Sequence, residues 1–576
     1  MRNSINLKLQ TKASTLVSLK NRYGKIINIP ELITIKKTFF EKKNAPFSIK
    51  KIIKKFYNKD IIIRSSAYDE DLENISNAGK YDSYVVNTSN IKDLNNGILK
   101  VSRKLKSNND EIIFQKYLSK PEISGVIFTR DINTNAPYYV INFDKSGKTD
   151  LVTSGKKNLS QQTLNILRNY KFIPSEFIKL INVVKKIEKI FGKDRLDIEF
   201  AIKNKKVYIF QVRSLKKNNT INENLFYSAT VNLEKKIEKI KRINPNLSGL
   251  TTVLSNMSDW NPAEMIGAKS TNLSFSIYSE LITNDVWSKQ RDKYGYKNVF
   301  PNSLMIDLAG SPYIDLRTDF NSFLPKKINN IIEKKSINYF INKIKNHKEL
   351  HDKIEFQIIP TCFNFSLKRE LRKFLNKKET NLYYNRLKDI TENLISNKNS
   401  QLYLDISKVK YLEEKLQVYK NSKFNPIQNI FFITSLCKDF GTLPFAGIAR
   451  SAFIATVILR DLVKYNCITE KELSNFYGSV NTITSKFNND LYKLKKKKID
   501  KNIFLKKYGH LRPSTYSITS KNYSDGFNAY FFNIKNIKLN KIKKFKLNSS
   551  KENLINKLLK KNNINFDEKK LFNFAK

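Results

Sequence analysis

The sequence is poor in cysteine, histidine and tryptophan. Its 576 residues include three cysteines, three histidines and two tryptophans. The cysteines lie far apart and match no Cys-X-X-Cys or Cys/His spacing; they are Cys362, Cys437 and Cys467. We therefore expect neither a disulfide framework nor a zinc site. A reducing compartment fits this cysteine usage.

Long apolar runs are also missing. No run of about 18 consecutive apolar residues occurs, and the first residues lack the run of about 7 to 15 apolar residues that a signal peptide needs. From the sequence we therefore expect no signal peptide, no spanning helix, no membrane partner and a cytoplasmic location.

Acidic residues are scarce relative to basic ones. The chain has 105 Lys and Arg against 52 Asp and Glu, a formal net charge of +53. Such a charge is typical of proteins that bind nucleic acid or anionic membranes, but here the lysines are spread along the whole chain, whereas a phosphate-tracking surface concentrates its charge. A compositional bias with no specific nucleic-acid partner is the favoured interpretation, and a polyanion-binding protein is the rival.

Arginine is the scarce basic residue, because only 17 of the basic residues are arginines. A planar guanidinium binds a phosphate or carboxylate through two parallel hydrogen bonds, which lysine cannot do. Four arginines in the first part of the chain are therefore candidates for a site: Arg64, Arg130, Arg195 and Arg213.

A chain of this length exceeds the size of about 250 to 300 residues at which single cores stop growing, so several domains are expected. Residues 1–215 alternate short β-rich runs with helical patterns and predict a mixed α/β domain. A helix capped by Ser175, with one apolar face, is expected to end at Gly192. The predicted strands are 60–64, 112–115, 125–129, 138–143, 196–202 and 207–212.

Residues 216–540 predict a mainly helical central domain, notably over 325–350, 366–398, 408–422 and 450–500, followed by a Lys/Asn-rich helical segment at 541–576. Four islands in this half are poor in lysine: 259–267, 310–323, 439–451 and 508–516. Within them Arg317, Asp319, His510 and Arg512 are candidates for an acceptor site, although capped turns and buried polar anchors are the favoured interpretation.

Residues 61–86 contain the richest cluster of polar groups. A strand ends in Arg64 and continues into Ser65, Ser66 and a loop with the small residues Ala78 and Gly79. An arginine, hydroxyls and accessible backbone amides can bind a phosphate. An ordinary surface loop before a capped helix explains the same residues equally well.

Residues 194–213 predict a β-hairpin with its turn near Lys205. This register places Glu199 opposite Gln211, with Asp197 and Arg213 on the same face. A carboxylate, an amide oxygen and a guanidinium suit a Mg²⁺ ion that bridges nucleotide phosphates. A solvated edge face is the alternative.

These motifs occur in an order that resembles a known family. The order RSSAxxEDL, SxAG, SGVxFTxD, DIEF and QxR is similar to that of the N-terminal nucleotide-binding domain of phosphoenolpyruvate synthase and pyruvate phosphate dikinase, which has an ATP-grasp fold. In this chain the motifs are 64–72, 76–79, 124–131, 197–200 and 211–213. The resemblance implies an α/β domain of ATP-grasp type, with a mixed sheet and helices, followed by the mainly α domain.

The resemblance also implies roles for individual residues. Arg64 and Arg213 would hold the phosphates of ATP and serve catalysis, and Glu199 and Gln211 would ligate Mg²⁺. Gln115 would lie near the adenine. Three further residues would contribute to nucleotide binding: Lys12, Ser76 and Gly79.

Two motifs depart from the family pattern. Gln10 replaces the glycine that comes two residues before the lysine, and the glycine-rich loop is altered at 142–155. Both changes affect the part of the site that, by this resemblance, closes over the triphosphate of bound ATP.

The chain lacks the family's phosphohistidine motif and its C-terminal barrel. Its histidines are His510 and an i,i+4 pair, His347 and His351, which we expect on a lysine-rich solvated helix. The resemblance implies an ATP- and Mg²⁺-dependent phosphotransferase module whose phosphoryl group passes to a histidine on another domain or subunit. A nucleotide sensor or scaffold that binds ATP without turnover is the alternative.

Overall fold

A computed structural model describes most of the chain as two compact units, Met1–Val231 and Asn232–Lys576. The residues that it describes are 7–40, 45–67, 83–147, 161–170, 172–215, 220–258, 261–421, 423–512, 520–531 and 545–576.

The first unit contains two β-sheets with helices. Its strands are β1 (Leu32–Lys36), β2 (Asp60–Ser66), β3 (Tyr84–Asn87), β4 (Glu111–Lys116), β5 (Ile123–Phe128), β6 (Tyr138–Asp144), β7 (Gln162–Leu167), β8 (Leu196–Lys203) and β9 (Lys206–Ser214). Its helices are α1 (Lys12–Tyr23), α2 (Ala45–Lys55), α3 (Ile91–Ser102), α4 (Ile178–Phe191) and α5 (Glu223–Lys241), and α5 contains the boundary of the unit.

The sheets have the strand orders β1-β4-β2-β3 and β7-β6-β5-β8-β9. The pairs inside both sheets are antiparallel, and a parallel bridge from Asn28 to Tyr208 adds to the larger sheet at β9. Each sheet buries an apolar face in a core of its own. The predicted α/β class of this half of the chain is confirmed.

All six predicted strands are present, and three further strands were not predicted. These three, β1, β3 and β7, each lie at the edge of a sheet. An edge strand pairs on one side only and buries few side chains, as in β7, where only Ile166 is buried. Their apolar pattern is therefore too weak to stand out in the sequence.

Helix α4 matches its prediction at one end and not at the other. Its apolar face is buried, and Gly192 ends it in the left-handed conformation with a φ of 59°. The Ser175 cap was wrong, because Ser175–Phe177 forms a 3-10 turn and α4 begins at Ile178 without a side-chain cap. The Phe177 amide donates to the Pro174 carbonyl, which closes this tighter turn before the α-helix starts.

Gly125 lies in β5, the middle strand of the five-stranded sheet, and offers a test of the packing there. A Cβ atom at this position would lie 2.1 Å from the Asn142 carbonyl oxygen and 2.9 Å from the Phe143 Cα atom. Both are backbone atoms of the paired strand β6, so relief would require the two strands to separate. We expect Gly125→Ala to lower the free energy of unfolding of the first unit by about 1 to 3 kcal/mol.

Hydrogen exchange of the β5 and β6 amides measures this effect. Gly97→Ala is the matched control, because its added Cβ would first meet the Cδ1 atom of Ile63, the movable end of a side chain, at 2.9 Å. An equal loss of hydrogen-exchange protection in Gly125→Ala and Gly97→Ala would show that the close approach of β5 and β6 at Gly125 does not cause the effect.

The second unit is mainly helical, which confirms the predicted class of this half of the chain. Its helices are α6 (Pro262–Ile266), α7 (Asn272–Tyr278), α8 (Val286–Lys293), α9 (Leu316–Ser322), α10 (Asn330–Asn346), α11 (Leu367–Leu371), α12 (Lys377–Ser396), α13 (Gln401–Lys420), α14 (Pro426–Leu436), α15 (Leu443–Lys464), α16 (Glu470–Tyr477), α17 (Ile483–Lys495), α18 (Lys501–Tyr508), α19 (Phe527–Phe531), α20 (Ser549–Lys561) and α21 (Glu568–Ala575).

A small antiparallel sheet and three π-helical turns complete the second unit. The strands are β10 (Leu254–Ser255), β11 (Met305–Leu308) and β12 (Ser311–Asp315), in the order β10-β12-β11. The π turns are Ser279–Thr283, Ile354–Ile358 and Cys437–Thr442. One large apolar core extends from Leu247 to Leu571.

The histidine pair does not lie on a helix, contrary to the prediction. Helix α10 ends at Asn346, His347 leaves the helical conformation, and His351 follows a short 3-10 turn. Ile344 is the last buried apolar residue of α10, so no apolar face continues the helix through 345–349. In the described ranges no group of three or more His, Cys, Asp or Glu side chains is placed to hold a metal ion.

One helical stretch, Pro426–Lys464, is long and apolar enough to cross a membrane by length and composition alone. It spans 39 residues, and its most apolar window has a mean hydropathy of 1.6. Half of that window is buried in the protein, and the core helix of a globular protein meets the same criterion. This stretch contains no long uninterrupted apolar run, because Asn, Gln, Thr and Ser occur among its apolar residues.

Candidate functional site

Arg64 lies near the end of β2, in the four-stranded sheet. Ile61 and Ile63 on the same strand are fully buried in the core of this sheet, and the alternation of side chains places Arg64 on the opposite face. Its Nη2 atom donates to Glu199 Oε2 at 2.5 Å. Since Glu199 belongs to β8 of the five-stranded sheet, this ion pair joins the two sheets of the first unit.

The predicted pairing of Glu199 and Asp197 in the β8–β9 hairpin is confirmed. Glu199 pairs with Gln211 and Asp197 pairs with Arg213. The turn residues Asn204 and Lys205 both have positive φ, the conformation of a tight two-residue hairpin turn. A β-bulge directly after Glu199 bends the strand at this point.

The polar side chains of this hairpin form one connected network. Arg213 Nη2 donates to Asp197 Oδ2 at 2.8 Å. The Gln211 amide satisfies both of its neighbours when its nitrogen donates to Glu199 Oε1 at 3.3 Å and its oxygen accepts from Arg213 Nε at 2.5 Å. Gln211 is buried, and the other three side chains keep limited access to solvent.

Lys12 adds a third cation to this network. It is the first residue of α1, which Thr11 caps, and the next backbone amide, that of Ala13, donates to Ser66 Oγ at 3.1 Å. This bond fixes the start of α1 to the end of β2. The Lys12 ammonium lowers the pKa of both Asp197 and Glu199, so it lies near both carboxylates.

The two carboxylates have opposite pKa shifts. For Glu199, burial is the largest single influence and raises the pKa, but Arg64, Lys12 and Arg213 together outweigh it and hold the pKa below its usual value. For Asp197, burial dominates and raises the pKa despite the Arg213 partner, and the Glu199 charge raises it further. Glu199 is therefore the more readily ionised of the two.

Gln115 lies in β4, beside β2 and two register positions from the Arg64 pairing. Its side chain is fully buried, yet neither its amide nitrogen nor its amide oxygen has a hydrogen-bond partner among the residues that the structure describes. Burying an amide without partners costs free energy, so such a group is typical of a site that awaits a polar ligand.

The structure brings five of the eight predicted site residues together: Lys12, Arg64, Glu199, Gln211 and Arg213. Gln115 is placed on the neighbouring strand, and among the described residues no hydrogen bond joins its side chain to this network. Ser76 and Gly79 lie outside the described residues, as does most of the altered loop at 142–155.

Asp197 was not among the predicted site residues, although the sequence pattern indicated its position. The period of two along β8 had already placed Asp197 on the face of Glu199. Its Oδ1 atom is buried and accepts no hydrogen bond from any described residue. The carboxylate therefore has one oxygen held by Arg213 and one oxygen available to a ligand.

The other two arginine candidates do not join the network. Arg130 is buried and pairs with Asp194 and Glu223, which places it in a structural ion-pair cluster at the start of β8. Arg195 precedes the same strand, and its carbonyl accepts from the Leu215 amide. Neither side chain contacts a residue of the site in the described part of the unit.

In the second unit, Arg317 and Asp319 are buried anchors, as the favoured interpretation held. Arg317 donates to the carbonyl oxygens of Ile240 and Arg242 at 2.9 and 2.7 Å, and Ser258 donates to Asp319. His510 and Arg512 are exposed, and Arg512 Nε donates to the Ser520 carbonyl at 2.9 Å. The Arg317 bonds satisfy two carbonyl groups at the C-terminal end of α5, and Ser258 and Ser520 lie outside helices and strands.

The network of the first unit has the composition of a site for an anionic ligand with a metal ion. Lys12, Arg64 and Arg213 supply three cations, of which the two arginines suit phosphate oxygens. The Glu199 and Asp197 carboxylates and the Gln211 amide supply oxygen ligands of the type that Mg²⁺ prefers. The residues present therefore fit a magnesium nucleotide.

No family model matches this chain. The pyruvate, phosphate dikinase of Rickettsia typhi is 32% identical to it over 111 residues, which are 19% of this chain and 12% of the dikinase. The match thus spans about an eighth of the length of that relative, which is too little to show membership of its family.

Solved structures with partial similarity include two ligases. The D-alanine–D-alanine ligase from Bacillus anthracis complexed with ATP is 14% identical, with a TM-score of 0.22 over 35% of this chain and 55% of the ligase. A RiPP-associated ATP-grasp ligase from Chryseobacterium gregarium, in complex with ADP and a leader and core peptide, is 13% identical, with a TM-score of 0.22 over 39% and 57% of the two chains. TM-scores of this size carry no weight for function.

Proposed function

We propose that the first unit is an ATP- and Mg²⁺-binding phosphotransferase module of the dikinase type. In this proposal it transfers a phosphoryl group from ATP to a histidine that another domain or subunit supplies. The observation that carries the proposal is the convergence of Lys12, Arg64, Glu199, Gln211 and Arg213 from two sheets and one helix. The ordered motifs and the short match to a dikinase support it.

The ion pairs of the site define what its residues do when a nucleotide binds. Arg64 and Arg213 are neutralised by Glu199 and Asp197 in the structure. A polyphosphate competes with these carboxylates for the guanidinium groups, and the carboxylates become free to take a cation. Arg64, Arg213 and Lys12 then orient the phosphates and offset their charge, which is the main catalytic demand of phosphoryl transfer.

Mg²⁺ would be held by Glu199 and Gln211, and when bound it supplies charge neutralisation at the phosphate oxygens. Asp197 would support this arrangement by holding Arg213 through one of its two carboxylate oxygens. The raised pKa of Asp197 lets that side chain hold a proton more readily than Glu199.

The phosphoryl acceptor must come from outside the site. All three histidines, His347, His351 and His510, belong to the second unit, so the sequence of the first unit contains no histidine. A histidine domain on another chain or segment would therefore receive the phosphoryl group.

Transfer to such a domain is the test of the proposed reaction. The full chain is incubated with Mg²⁺ and ATP labelled at both its β- and γ-phosphates, together with the phosphohistidine domain of a pyruvate, phosphate dikinase, so that the label reaches the histidine whether AMP or ADP is the leaving group. The proposal predicts acid-labile labelling of the histidine domain that Arg213→Ala abolishes. Stoichiometric ATP binding without any labelling would instead support the sensor or scaffold alternative.

Gln115 gives a prediction that separates ligand binding from folding. We expect Gln115→Leu to raise the free energy of unfolding by about 1 to 3 kcal/mol, because it removes a buried amide without partners. The same change is expected to weaken ATP binding about tenfold, because a polar ligand loses its partner. Calorimetry and urea unfolding measure the two effects.

Inorganic tripolyphosphate is the control ligand for Gln115→Leu. If Gln115 contacts the base of the nucleotide, tripolyphosphate binds equally well to the variant and the parent. A variant that is less stable than the parent and binds ATP with unchanged affinity would show that Gln115 is a packing residue.

A further inference from the structure

Helices α13 and α14 form an exposed hairpin in the second unit, which we call the apolar hairpin and define as residues 408–438. Helix α14 contains no charged residue, and the uncharged stretch extends over 424–437. In a chain with 27% charged residues, such a stretch is expected in a core. Of the eleven residues of α14, however, only Leu436 is buried.

The three most exposed apolar side chains of α14 share one face. Ile427, Ile430 and Phe431, at the helical spacing i, i+3 and i+4, are 67%, 65% and 73% exposed. On the inner side of the hairpin, Phe432 stacks on Tyr419 of α13 with the ring centroids 5.6 Å apart, and it also packs against Phe424. The hairpin is thus held together internally and presents large apolar side chains to the outside.

The apolar hairpin also carries lysines. Lys410, Lys415 and Lys420 lie on α13, and Lys423 precedes α14. No ion pair joins these four lysines to a carboxylate in the part of the chain that the structure describes; Lys415 lies over the ring of Tyr411. Within 408–438 there are six lysines, these four with Lys408 and Lys438, and two acids, Glu413 and Glu414. Lys438 pairs with Glu280 and Asp285.

We propose that the apolar hairpin inserts α14 into the interface of an anionic phospholipid bilayer. Charge complementarity favours a lipid surface over a second copy of this chain as the partner of the hairpin. A second copy of this chain would bring the same lysines against each other on a protein of net charge +53, whereas anionic headgroups neutralise them. Ile427, Ile430 and Phe431 then enter the boundary between headgroups and acyl chains, and the lysine stems extend to the headgroups.

This inference is independent of the ATP site, and it reverses the sequence-based expectation of no membrane partner. Its physical basis is exposure, which the sequence does not show. A buried α14 would explain the same composition as core packing, but the structure leaves the face of Ile427, Ile430 and Phe431 uncovered.

The test is co-sedimentation of the full chain with vesicles of phosphatidylglycerol and phosphatidylcholine in equal parts. We expect the triple variant Ile427→Ser, Ile430→Ser, Phe431→Ser to lower the partition coefficient by at least about tenfold. The matched control is Phe47→Ser, Ile331→Ser, Ile483→Ser, which removes side chains that are 73%, 61% and 78% exposed elsewhere. The control is expected to bind like the parent.

A positively charged protein adheres to anionic vesicles without insertion, so the apolar variant is the decisive one. Equal binding of both triple variants would assign the adhesion to net charge and overturn the proposal, as would no binding by the parent. In Phe431→Trp, acyl-chain-brominated lipids are expected to quench the added fluorescence, and an unquenched signal on bound protein would also overturn the proposal.

Discussion

Replacing Glu199 by glutamine is expected to remove the Mg²⁺ dependence of ATP binding and to weaken the binding by about 30- to 100-fold, or about 2 to 3 kcal/mol. Glu199 is the carboxylate with the lowered pKa, and it accepts from Arg64 at 2.5 Å. Glutamine keeps the shape and loses the charge, so the cation loses its strongest ligand while the fold of β8 is preserved. Calorimetric titration with ATP, with and without Mg²⁺, measures the effect.

A double-mutant cycle with Arg64→Met separates a ligand site from a structural ion pair. The two side chains are 21% and 12% exposed, so breaking the pair from either side leaves a charge that is partly desolvated. We expect the double variant to recover part of the free energy of unfolding that each single variant loses. For ATP binding, no recovery is expected, because each residue also contacts the ligand. Recovery of ATP binding in the double variant would mean that the pair serves only to join the two sheets.

Replacing Arg450 by methionine is expected to lower the free energy of unfolding of the second unit by about 3 to 5 kcal/mol. Arg450 and Glu355 are 1% and 4% exposed and form an ion pair between α15 and the π turn Ile354–Ile358. The Arg450 guanidinium also lies 4.9 Å from the ring centroid of Phe323. Removing the cation leaves Glu355 as a buried charge, which is far more costly than the loss of one contact.

Tryptophan fluorescence reports on the second unit alone, because Trp260 and Trp287 are the two tryptophans of the chain and both belong to that unit. Urea unfolding followed by this signal therefore measures the effect of Arg450→Met. The control is the double variant Arg450→Met, Glu355→Leu, in which apolar side chains replace the buried pair and most of the stability returns. A double variant as unstable as Arg450→Met would contradict this explanation.

Local sequence patterns were sufficient to predict the central strands and the hairpin register. Counting outward from the tight turn at Asn204 and Lys205 places Phe200 opposite Ile209. The β-bulge after Glu199 then shifts the register by one residue, which gives the Glu199–Gln211 pair that a turn centred near Lys205 predicts. The alternation of Glu199 with buried Ile198 and Phe200 then fixes which face the carboxylate occupies. Edge strands such as β7 bury too few side chains to produce a visible alternation of apolar and polar residues.

Contacts between distant segments were beyond prediction from local patterns. Arg64 and Glu199 are 135 residues apart, and only the family resemblance associated them. The bond from the Ala13 amide to Ser66 Oγ, which fixes Lys12 near the site, links two segments with no shared periodicity. The burial of the Gln115 amide without partners is a property of the assembled sheet, so no sequence pattern indicates it.

Exposure was the other property that the sequence did not show. The apolar composition of α14 predicts a buried helix, because such composition usually fills a core. The structure instead leaves Phe431 73% exposed. The reverse holds for Arg317 and Asp319, which are charged and yet buried: Arg317 donates to backbone carbonyl groups, and Asp319 accepts from the Ser258 hydroxyl.

Calorimetric titration of the full chain with ATP, with and without Mg²⁺, on the parent and on Arg213→Ala, is the most direct test of the central claim. The account predicts Mg²⁺-dependent binding by the parent and its loss in Arg213→Ala, because Arg213 connects Asp197 and Gln211 at the centre of the site. No ATP binding by the parent, or equal binding by both proteins, would contradict it.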